Sequence, residues 1–135
     1  MIHQKDLRLG DLVQITVDLP EYKQGDIFVV IDISEVYIGL RSPSESDCRP
    51  DMYTIRDHIE GIHLTPEILE KNGWEQEYYA PIIYGHIGHD IEISFLQTSK
   101  RCSVLLNDIS LCEIQYVHQL QHILWVLGED ANLII

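Results

Sequence analysis

Four histidines are spaced as metal ligands or proton carriers would be. His118 and His122 stand four positions apart, and on a helix that spacing puts both imidazoles on one face, where they can ligate zinc. His86 and His89 lie in Gly85-His86-Ile87-Gly88-His89-Asp90, a glycine-punctuated turn with a carboxylate beside it. Brought together, these rings and Asp90 would make a metal centre. The pattern stops short of a zinc protease, because Gln119 follows His118 where a general-base glutamate is required. The simpler expectation is that His118 bonds to neighbouring backbone and the turn histidines are solvated.

Nucleophilic chemistry has less support. Cys102 and Cys112 fall in strand-like segments, where an unpaired thiol usually serves as a small apolar filler. Cys48 is placed in a loop among Glu45, Asp47 and Asp51; nearby anions suppress the thiolate despite Arg49. No Gly-x-x-x-x-Gly-Lys or Gly-x-Gly-x-x-Gly turn is present to cradle a phosphate. With 22 acidic residues, carboxylate pairs are unavoidable and none can be singled out. No catalytic, cofactor-binding or metal-ligating residue is therefore assigned, and the chain reads as a non-enzyme. A small metal-dependent hydrolase built around His118 is one alternative.

The charge balance restricts partners. Acidic residues outnumber basic ones 22 to 9, a net charge of -13. Such a field repels phosphate backbones and anionic lipid, so neither nucleic acid nor a membrane is an expected partner. No Lys or Arg follows Arg101. The acids are scattered, as on a solvated surface; arrayed at phosphate spacing, they would instead make the chain a DNA mimic that inhibits a host nucleic-acid-binding protein. Three cysteines with no paired spacing, a polar Met1-Ile2-His3-Gln4-Lys5-Asp6 start and only short apolar runs point to the cytoplasm and reduced thiols.

The elements that must position these groups fall into two halves. Residues 1–64 read as five short strands, at Leu12–Val17, Ile27–Ile33, Val36–Leu40, Met52–Ile55 and Gly61–Leu64, with room for a 3₁₀ turn at Arg56–Ile59. Such strands usually close into a small SH3-like barrel. Residues 65–135 read as an α-β-β-β-β-α subdomain packed on it. Thr65-Pro66-Glu67 opens a helix and Asn72-Gly73 closes it, with Trp74 over the exit. Strands follow at Tyr79–Tyr84, Ile91–Leu96, Cys102–Leu106 and Ile109–Gln115, the last two joined by Asn107-Asp108. Val117, Leu120, Leu124 and Leu127 repeat at helical spacing before Gly128. The expected class is α+β: an SH3-like barrel, then an antiparallel sheet with two flanking helices.

Three stretches carry a resemblance. Asp6-Leu7-Arg8-Leu9-Gly10-Asp11-Leu12-Val13 opens the chain, Ile62 to Trp74 forms its middle, and Tyr116-Val117-His118-Gln119-Leu120-Gln121 precedes Gly128-Glu129. In order and spacing they resemble a family of small uncharacterised proteins from prophages and mobile elements of gut Bacteroides-type bacteria. The chain departs at His63-Leu64-Thr65, where Pro-Leu-Thr is commoner, and at Trp125-Val126, where an alanine-containing stretch is usual. The resemblance implies a barrel-like unit followed by an α/β unit and brings no activity. The expected role is an interaction or accessory protein with a protein partner, and with homo-oligomers possible. Trp125, Gln119 and Gln121, off the core stripe of the last helix, are the candidate interface.

Overall fold

The computed structural model describes residues 6–45, 49–77, 82–86, 90–96 and 100–135. The chain divides into two compact units, Met1–Ile62 and His63–Ile135, two residues short of the expected boundary. It is an α+β protein, and its described residues form two antiparallel five-stranded sheets and two α-helices. None of its described helices is long and apolar enough to cross a membrane.

The first sheet consists of β1 (Leu12–Ile15), β2 (Ile27–Ile33), β3 (Ile38–Arg41), β4 (Met52–Thr54) and β5 (Ile59–Gly61), in the order β4-β3-β2-β1-β5. Its core is Leu7, Val13, Ile15, Phe28, Val30, Ile38, Leu40 and Ile59, with Tyr22 and Met52 against it. The apolar run in β2 suggests burial on both faces. Phe28 and Val30 are buried, but Ile27, Val29 and Ile31 are only half-covered, so the strand has one true core face. A 3₁₀ turn, Arg56–His58, leads into β5. No ladder among the described residues joins β4 to β5; the sheet is open, and a closed barrel is not found.

The opening motif acquires a local purpose. Gly10 takes a φ of +93°, which a side chain resists. Its N–H donates to the Val30 carbonyl at 2.7 Å, and the Val30 N–H donates back to Asp11 at 2.9 Å. The buried Asp11 carboxylate accepts the Arg8 N–H at 2.8 Å. Leu-x-x-Gly-Asp thus makes the turn that registers β1 against β2.

The second unit starts with α1 (Pro66–Lys71). Thr65 caps it, its hydroxyl accepting the Ile68 N–H at 3.3 Å. Asn72 is the C-cap, Gly73 follows at a φ of +86°, and Trp74 is buried. Leu69 is the inward residue, while Ile68 is half-buried. The sheet has order β10-β9-β8-β7-β6, from β6 (Glu75–Gln76), β7 (Ile83–Gly85), β8 (Ile91–Phe95), β9 (Cys102–Leu106) and β10 (Ile109–Ile114). β6 adds a fifth strand to the expected four, and Tyr79 to Pro81 of the expected strand lie outside the described residues. Asn107 and Asp108 turn with φ of 51° and 66°, the backbone of a two-residue hairpin. α2 (Val117–Val126) presents Val117, Leu120 and Leu124 to the core. Leu127, the expected fourth member of that stripe, is its C-cap and 41% exposed.

Candidate functional site

Of the four candidate histidines, the three among the described residues lie in two places in the second unit. His118 and His122 share a face of α2, with ring centroids 5.7 Å apart. Tyr116 stacks on His118 at 5.7 Å, and His63 meets Tyr116 at 5.0 Å. His63 joins this row through an isolated bridge to Tyr116, 53 positions away, a pairing that local spacing does not reveal. Its Nδ1 is buried without a hydrogen-bond partner. The rings pack as edges and faces, and among the described residues no group of three or more His, Cys, Asp or Glu side chains is arranged to hold a metal ion.

His86 lies elsewhere, against Trp74 with centroids 5.6 Å apart. His89 falls outside the described residues. His86 borders a concave pocket of about 350 Å³ lined by Glu75, Gln76, Glu77, Asp90, Ile91 and Glu92. Burial raises the Glu92 carboxyl above its usual range, helped by the charges of Glu77 and Asp108 and by a hydrogen bond to Glu77. Only a protonated acid can share such a bond with a second carboxylate. Polar residues are thus gathered at this pocket, and among the described residues none of those lining it is a cysteine, serine or threonine.

The thiols behave as spacing suggested in one case and not in the other. Cys102 is fully buried in β9, and burial pushes it up to about 11. Cys112 is exposed on β10, so it is not a core filler; desolvation raises it too. Neither is poised as a thiolate. Cys48 lies outside the described residues.

The three candidate interface residues have different environments. Gln119 caps its own helix: its Oε1 accepts the Gln115 N–H at 2.7 Å and the Tyr116 N–H at 3.0 Å. Gln121 is buried and its Nε2 donates to the Ala131 carbonyl at 3.2 Å. Their amides are committed within the chain. Trp125 is 65% exposed, followed by Val126 at 68%. The last turn of α2 therefore offers consecutive apolar side chains outward while Leu124 beside them is fully buried.

No family model, no curated protein and no solved structure matches the chain.

Proposed function

We propose that this chain is a non-enzymatic interaction protein of prophage or mobile-element origin, acting in the cytoplasm on a protein partner. The observation that carries this reading is the exposure of Trp125, Val126 and Leu127 at the end of α2. Single exposed apolar residues are ordinary, but a contiguous patch containing a tryptophan is typical of an anchor that a partner covers. Removing such a side chain from water is worth about 2–3 kcal/mol. Glu129 and Asp130 follow the patch, and no Lys or Arg occurs after Arg101. The partner surface is accordingly an apolar pocket with a basic rim.

The first unit is read as an SH3-like barrel left open. The strand order β4-β3-β2-β1-β5, with β1 paired on both sides and a 3₁₀ turn ahead of β5, supports that reading. The mobile-element origin rests on the three motif stretches. Their Gly10-Asp11 turn, Thr65 cap and Gln119 cap have structural roles, in keeping with a family whose shared residues specify a scaffold.

The test is affinity capture from host lysate with the full chain and with Trp125→Ser as baits. A protein retained by the first and lost by the second is the expected result. Equal retention by both would remove the patch from the proposal. Retention of nothing, with substrate turnover by the purified chain, would overturn the class of function.

A further inference from the structure

The segment after α2 is held as a bound peptide is held. Ala131, Leu133 and Ile135 are half-buried while Asn132 and Ile134 are exposed, the two-residue period of an extended chain on a surface. No strand pairs with it among the described residues. Two side-chain amides read its backbone instead. Asn72 Nδ2 donates to the Ile134 carbonyl at 2.7 Å, and Asn72 Oδ1 accepts the Ile134 N–H, also at 2.7 Å. One side chain thereby imitates the edge of a strand. Gln121, only 5% exposed, donates to the Ala131 carbonyl three residues upstream. Asn72 is itself fixed by a bond from Nδ2 to the Ile68 carbonyl at 2.8 Å.

These hydrogen bonds recognise main chain, with apolar side chains turned inward at every second position. The site therefore specifies an extended apolar segment and not a particular connection to α2. That connection runs through Gly128, at a φ of +76° with open space where a Cβ would stand, a place where the chain can take another direction.

We propose that Asn72 and Gln121 form a peptide-binding site, filled in cis by residues 131–135, whose occupant in trans is the same segment of a second copy of this chain. Exchange between identical copies remakes every contact it breaks. Ala131-Asn132-Leu133-Ile134-Ile135 carries no charged side chain, and the two acids that travel with it past Gly128, Glu129 and Asp130, precede the residues the site holds. In cis the short connection gives an effective concentration of roughly millimolar, which keeps dilute chains closed. The inference goes beyond the Trp125 reading and uses none of its residues.

Two full-length variants test it by complementation. Asn72→Ala spoils the site and keeps the segment; Ile134→Pro spoils the segment, by removing its N–H, and keeps the site. Isotope-labelled Ile134→Pro chain is titrated with unlabelled Asn72→Ala chain to about millimolar concentration, the range set by the cis competitor, and the side-chain amide resonances of Asn72 and Gln121 are followed by NMR. Saturable shifts toward the wild-type positions are expected, with none from a titrant carrying both substitutions. With both variants folded, absent shifts, or equal shifts from the double variant, overturn the proposal. So does binding of an unrelated apolar peptide where the Asn72→Ala chain does not bind. Should either substitution unfold the chain, Asn72→Asp and Leu133→Asp replace the pair and are judged by the same outcomes.

Discussion

The Asp11 carboxylate accepts the Arg8 N–H at 2.8 Å from a side chain that is only 2% exposed. A three-residue loop is closed by this bond before β1 begins, and the Asp11 carbonyl then accepts Val30 N–H from β2. The Leu7-to-Asp11 stretch thus has a role in chain geometry. It is a folding instruction.

Asp11→Ala should destabilise the chain by about 1–3 kcal/mol, because it removes the buried carboxylate that gives the Arg8 N–H a charge-assisted acceptor. Asp11→Asn keeps an oxygen in place and should recover part of that loss. Urea unfolding midpoints of the three chains check this; an alanine variant as stable as wild type would rule the turn out as a stabilising feature.

Gly39 faces Asp32 where the β2–β3 register shifts. A Cβ on Gly39 would stand 2.8 Å from the Asp32 Cβ and 3.1 Å from Pro50 Cγ, and neither neighbour is a flexible tip. Gly39→Ala should therefore cost about 1–3 kcal/mol through overpacking. The thermal melting temperature should fall accordingly, and a double variant, Gly39→Ala with Asp32→Gly, should restore most of it.

Features specified by adjacent residues were legible beforehand. The Thr65-Pro66-Glu67 start and Asn72-Gly73 stop of α1, and the Asn107-Asp108 hairpin, are short-range decisions of backbone and side chain. β6 was not legible, because two residues carry no period and Glu75–Gln76 is a strand only by pairing with β7. The placement of Trp125 was readable in the same way. Trp125 stands off the Val117-Leu120-Leu124 stripe and is exposed. Gln121 looked equally peripheral, yet it is buried because Ala131, beyond the Gly128 turn, returns to meet it. His63 entered the imidazole row through a bridge to Tyr116 that only tertiary structure makes.

Gln119 offers a direct separation of capping from interface roles. Its Oε1 takes two N–H groups at the start of α2, so Gln119→Ala should cost about 1 kcal/mol, as lost caps do. Gln119→Glu keeps the acceptor and adds an anion at the positive end of the helix dipole, and should be neutral or stabilising. Denaturation midpoints in the order Glu at or above Gln, both above Ala, are expected. If alanine is neutral for stability but weakens partner capture, the side chain serves an interface.

The carboxyl of Glu92 sets the sign of a pH effect. Its folded value lies above its ordinary 4.5 because of burial first, then the charges of Glu77 and Asp108. A raised acid binds its proton more tightly in the folded state than in the unfolded one, so its contribution is greatest below the unfolded value. Stability from this group is lost as pH rises from 4.5 through the raised folded value, the opposite of a salt-bridged acid. Glu92→Gln holds the neutral form at every pH, keeps a donor for Glu77, and removes the loss. The melting temperature of the variant should exceed that of wild type by an increasing margin across that window and then stay parallel to it. The parallel region follows because both folded and unfolded Glu92 are ionised above it. A margin that is constant over the whole range, or that closes as pH rises, would show that Glu92 is not held up by burial beside Glu77.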